Sequence, residues 1–97
     1  MPNIKKSFLI PLLMLLTACG GSLQSGRMDS AEGYIIQAER ALTASNAMVA
    51  TDNLGTAKAY LSTVNDFKKS LNIHEQRRFE ALKKRETKIE RTIKGMH

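Results

Sequence analysis

No proline or glycine lies between Gly55 and Gly95, and the apolar residues of that stretch recur every third or fourth position. Residues three and four apart share one face of a helix, whereas a strand would need strict alternation, so a chain without breakers and with this period is expected to be helical. Upstream the bias is the same: tryptophan is absent, prolines are confined to Pro2 and Pro11, and Ala, Leu, Lys and Glu dominate over β-branched runs such as Ile35-Ile36. The expected fold class is all-α.

The same period divides the chain into segments. Asp29-Ser-Ala-Glu32 has the form of a capping box, and Ala31, Ile35, Ala38, Leu42, Ser45 and Val49 then keep a spacing of four and three, which predicts a first helix over about 30–50. That phase breaks at Thr51-Asp52-Asn53, residue types that favour turns and caps, so a turn is expected there. Leu54, Ala57, Tyr60, Leu61, Val64, Phe67 and Leu71 give a second stripe over 53–71. Asn72-Ile-His-Glu75 repeats the capping-box form and opens a third helix over 73–94, stopped by Gly95. Without a breaker between them, the second and third helices have the alternative of forming one rod. The leading expectation is a small antiparallel bundle of about three helices.

The N-terminus reads differently. Lys5-Lys6 form a positive region and Phe8–Leu16 an apolar run of nine residues interrupted by Pro11. A bilayer-spanning helix needs about 20 apolar residues, so this run has the length of an export signal. It ends in Leu16-Thr17-Ala18-Cys19, which resembles the lipobox of bacterial lipoproteins. The resemblance implies that the Cys19 thiol receives diacylglycerol, that the signal 1–18 is cut between Ala18 and Cys19, and that the freed amine is acylated, commonly with palmitate. In that family an Asp after the Cys retains the product at the inner membrane. Gly20 stands there, which implies an outer-membrane lipoprotein facing the periplasm if the source is Gram-negative. Two or three acyl chains on one residue make the anchor effectively permanent, at about 0.8 kcal/mol per buried CH₂. Residues 19–28, lipidated Cys19 followed by a stretch rich in Gly and Ser, are expected to be a flexible tether, leaving 29–97 as the helical domain.

A second, local resemblance is carried by Asp52-Asn-Leu-Gly-Thr-Ala-Lys-Ala-Tyr-Leu61. These residues look like the turn and second-helix start of a tetratricopeptide-type hairpin, with Ala57, Leu61 and Val64 at its packing positions and Ser45 and Met48 matching its first helix. It covers about twenty-five residues and implies a helical hairpin.

Charge is distributed unevenly. Between Cys19 and Asn72 five basic residues meet five acidic ones, whereas beyond Asn72 eight basic residues face four acidic ones. An electrostatic partner is therefore expected to meet the third helix. Arg77, Arg78, Lys83, Lys84, Arg85 and Lys88 are the candidate residues for an anionic surface, with Arg91 beside them. Phe79, Leu82, Ile89 and Ile93 form a narrow heptad seam with Glu86 as its polar exception, and such a seam suits either the bundle's own core or a partner helix. Glu80 and Glu90 are placed to pair with Lys84 and Lys94 four residues on.

No catalytic or metal-binding residue is proposed from the sequence. Cys19 is the only cysteine, His74-Glu-Gln-Arg-Arg78 has Arg where a zinc-binding helix would need its second His, and a 97-residue chain that loses its first eighteen keeps 79, too few for a sizeable cleft. A cofactor other than the covalent lipid, a small-molecule substrate and nucleic acid are not expected, the last because an exported lipoprotein meets little nucleic acid. The leading expectation is a non-enzymatic accessory or adaptor protein, anchored to the membrane by lipid and docking to another envelope protein. The alternative is a binder of anionic lipid or lipopolysaccharide acting through the basic helix, entry-exclusion and lysis-type roles included.

Overall fold

Five buried positions on each of three helices are spaced three or four residues apart. A computed structural model describes residues 23–96: α1 spans Leu23–Thr43, α2 Ala47–Asp66 and α3 Ile73–Gly95, with a 3₁₀ turn at Lys68–Ser70 between the last two. α1 buries Met28, Ala31, Ile35, Ala38 and Ala41. α2 buries Ala50, Leu54, Ala57, Leu61 and Val64. α3 buries Phe79, Leu82, Glu86, Ile89 and Ile93, and Leu71 closes the core from the connection. Burying each Leu, Ile, Val, Phe or Met side chain is worth about 1.5–3 kcal/mol, and the alanines on α1 and α2 let those two helices approach closely.

The arrangement is an all-helical, three-helix bundle running up, down and up. Tyr34 of α1 stacks on Tyr60 of α2 with ring centroids 6.0 Å apart, and Arg27 lies 5.7 Å above the Phe67 ring, which together fix an antiparallel register. α3 returns antiparallel to α2, joined by Lys58–Glu90 and by Lys68–Glu80 at 3.8 Å. α1 and α3 therefore lie parallel, side by side.

Several boundaries differ from the sequence expectation. Helix α1 starts at Leu23, so residues 23–28 of the expected tether are helical, and Met28 is completely buried. Asp29 and Glu32 sit inside the helix, where both turn to Arg78 of α3 instead of capping. Gly26 and Gly33 are accommodated on the exposed side. The expected turn at Thr51-Asp52-Asn53 lies within α2: the Thr51 hydroxyl donates to the Ala47 carbonyl at 2.7 Å and the Asn53 amide to Val49 at 2.9 Å, bonds to the preceding turn that a helix tolerates. That placement also removes the tetratricopeptide-like turn at Asp52, and Met48, matched there to the first helix of the hairpin, lies in the same helix as Ala57 and is 75% exposed.

The chain actually turns at Ala44–Asn46. Ser45 adopts φ 56°. Its N–H donates to Leu42 at 2.9 Å while the Asn46 N–H donates to Ala41 at 2.8 Å, the two bonds of a Schellman termination. Asn46 at once caps α2, its side-chain oxygen accepting from the Val49 N–H at 3.1 Å. α2 and α3 are separate helices, not one rod. The capping box read at Asn72–Glu75 is present, with Asn72 accepting from the Glu75 N–H at 2.8 Å and Glu75 accepting from the Asn72 N–H at 2.9 Å. The lipobox, Ala18, Cys19 and residues 20–22 lie outside the described residues, as does His97.

Candidate functional site: the outer face of α3

The residues proposed from sequence as a partner-helix seam are consumed by the fold. Phe79, Leu82, Ile89 and Ile93 are between 2% and 8% exposed and pack against α1 and α2, so they present nothing to another chain. The heptad spacing marks the face of α3 that the bundle itself buries.

The six basic candidates divide by the direction of their positions around α3. Arg78 and Arg85 flank the seam, one heptad apart, on the side of α1, where Asp29, Glu32 and Glu39 wait. Arg78 Nη2 lies 2.6 Å from Asp29 Oδ1 and 3.0 Å from Glu32 Oε1. Arg85 reaches Glu32 at 3.4 Å and grips Glu39 with two nitrogens. Partial burial pulls the Arg78 guanidinium down, but its bonds to Asp29 and Glu32 outweigh this and hold it above its ordinary value. For Arg85 the bond to Glu39 dominates and raises it against the same desolvation. These two cations belong to a five-membered chain of alternating charge joining α1 to α3. They are not free for an external anion, a correction to the sequence reading that sequence alone gave no means to see, because the acids stand more than forty residues away.

Lys83, though half-exposed, is paired too, its ammonium 3.3 Å from Glu86 Oε1. Glu86 occupies a core position at 5% exposure, and its other oxygen, Oε2, has no hydrogen-bond partner. The pairs expected within α3 are replaced by pairs between elements: Glu80 goes to Lys68 and Glu90 to Lys58. The Glu90 carboxyl is held below its ordinary value by the hydrogen bond from Lys58, whose own ammonium is raised by that bond.

What remains on the solvent side is a stripe. Arg77, Lys84 and Lys88, with Arg91, are exposed, follow spacings of seven, four and three, and make no ion pair among the described residues. They span about 21 Å of helix at 1.5 Å per residue. Two shallow open depressions lie along it, one lined by Ile73, Gln76, Arg77, Glu80, Ala81 and Lys84, the other by Glu80, Lys83, Lys84, Thr87, Lys88 and Arg91. A row of cations over small or aliphatic neighbours suits an extended anionic surface more than a small molecule, which would need enclosure. Among the described residues no group of three or more His, Cys, Asp or Glu is placed to hold a metal ion, and no helix is long and apolar enough to cross a membrane.

No protein family, curated protein or solved structure matches this chain.

Proposed function

We propose that this protein is a lipid-anchored, non-enzymatic adaptor of the bacterial envelope, which meets an acidic face of another envelope protein through the outer side of α3. One observation carries the reading: the apolar seam is closed within the bundle, while Arg77, Lys84, Lys88 and Arg91 are left together without acidic partners. The anchor is assigned to Cys19 by the lipobox resemblance, and Gly20 points to the periplasmic side of an outer membrane. Fixed cations along a rigid helix supply steering and register more than raw affinity, which suits a component whose location is already set by lipid.

A second reading is favoured by the same stripe. Lys and Arg clusters close to a membrane bind acidic lipid headgroups, and lipopolysaccharide offers similar chemistry. The two are separated by placing a photoreactive residue at Thr87, in the middle of the stripe, and a control at Gln37 on the exposed side of α1, both in the full chain in its native envelope. Protein adducts from Thr87 alone support the adaptor. Lipid or lipopolysaccharide adducts alone support the surface binder, and equal yields from the two positions refute both.

A further inference from the structure

Three large apolar side chains that the bundle leaves outside gather at one of its ends. Leu23, the first residue of α1, is 63% exposed, Phe67 at the end of α2 is 49% exposed, and Ile73 at the start of α3 is 54% exposed. The parallel course of α1 and α3, with α2 reversed between them, puts these three positions at the same end, and Arg27 stacked over Phe67 ties α1 to the connection there. Cations surround them: Arg27, Lys68, Lys69 and Arg77. The acids of this end are Asp66, Asp29, which is paired with Arg78, and Glu75, which closes the Asn72 cap, while Glu80 farther along α3 reaches Lys68.

Exposed Leu, Phe and Ile ringed by Lys and Arg is the composition that settles at the boundary between acyl chains and acidic headgroups. The tether decides which end meets lipid. Four peptide steps separate Cys19 from Leu23, at most about 14 Å of chain. Met48, Val49 and Met96 are also exposed, but they lie at the other end, about 30 Å along helices of twenty residues, beyond that reach.

We infer that the end carrying Leu23, Phe67, Lys68, Lys69 and Ile73 is seated in the surface of the bilayer that holds the anchor, with the helices upright; this rests on the lipid-anchor reading of Cys19. The occupant of the apolar patch is the headgroup boundary of an acidic phospholipid bilayer. The cationic stripe of α3 then rises from the membrane and faces a neighbour beside the protein, not the lipid beneath it.

The chain has no tryptophan, so single substitutions report position directly. Full chains carrying Phe67→Trp, Ile73→Trp, Thr87→Trp or Met48→Trp are matured in a lipoprotein-processing host. They are then reconstituted in vesicles of phosphatidylethanolamine and phosphatidylglycerol with brominated acyl chains. Emission from Trp at 67 and at 73 is expected to shift to the blue and to be quenched several-fold by bromine, while Trp at 87 and at 48 keeps its solvent spectrum. Quenching at 87 equal to that at 67 and 73 means that α3 lies flat and overturns the upright seat, as does quenching at 48. The mass of the matured chain separates the two layers of the argument. An acylated Cys19 with no quenching at either 67 or 73 overturns the seat alone, and a chain without acyl groups overturns the anchor reading together with it.

Discussion

Arg85 holds Glu39 in a two-pronged grip across the bundle: Nε donates to one carboxylate oxygen at 3.1 Å and Nη2 to the other at 2.5 Å. Both side chains remain a third or more exposed, so solvent screens the pair and its worth is about 1 kcal/mol in spite of good geometry. Arg85→Met is expected to lower unfolding free energy by roughly that amount, and Arg85→Lys by about half, since an ammonium keeps the charge and loses the fork. Denaturant titrations of these variants and of Glu39→Gln, combined in a double-mutant cycle, measure the coupling.

Glu86 is expected to respond in the opposite sense. Its buried Oε2 has no partner, so Glu86→Leu removes an uncompensated polar atom and should raise stability by about 1 kcal/mol, read as a higher thermal midpoint. Lys83→Met should instead cost about 1–2 kcal/mol, because it strips Glu86 of its hydrogen bond and leaves the carboxylate in the core.

Leu82→Asp is expected to unfold the domain, not to sever docking. Leu82 is 2% exposed, and a carboxylate among Phe79, Ile89 and Ile93 has no partner there. Far-ultraviolet circular dichroism decides, since retained helicity at 25 °C would place the seam outside the core.

The Schellman turn offers a stabilising change. Ser45 occupies left-handed backbone at φ 56°, where glycine carries no Cβ penalty, so Ser45→Gly should gain about 0.5–1 kcal/mol. Asn46→Ala should lose about 1 kcal/mol by deleting the α2 cap. Chemical denaturation of the two variants, which touch no core residue, measures each effect.

Stability should also depend on pH through Lys58 and Glu90. The folded-state Glu90 value is depressed by the hydrogen bond from Lys58, so its contribution is present above the unfolded carboxyl value and lost as pH falls through the folded one, below about 4.3. The Lys58 value is raised, so its contribution holds below the unfolded ammonium value and is lost as pH rises through the folded one, above about 10.4. Thermal midpoints of Lys58→Met across pH should show a flatter profile at both edges than the parent chain.

The helical periods were legible because burial follows residues of one chemistry. Ala31, Ile35, Ala38, Leu54, Ala57, Leu61 and Phe79 all face inward as their spacing implies, and Asn72–Glu75 caps as its spelling implies. Polar residues misled where tertiary partners or local back-bonds redirected them. Asp29 and Glu32 spell a helix start but answer to Arg78, and Thr51, Asp52 and Asn53 spell a turn but satisfy themselves on the helix's own carbonyls or in solvent. The true turn at Ser45-Asn46 uses the same turn-favouring residue types, hidden because Ser45 also falls on the helical period of the first segment. The free cationic stripe was hidden for a related reason. Which of Arg77, Arg78, Lys84, Arg85 and Lys88 remain unpaired is set by acids on α1, a relation between distant segments that period and spacing do not encode.

The Ala44–Asn46 turn bears on the order of assembly. It joins α1 and α2 through a very short loop, so their meeting closes little chain and sacrifices little entropy, and contacts this local form early in folding. α3 follows the somewhat longer connection 67–72 and packs against both helices, and its docking completes the ion pairs of Arg78 and Arg85. Any opening that lifts α3 away bares Phe79, Leu82, Ile89 and Ile93 as one apolar strip, the kind of surface that invites aggregation.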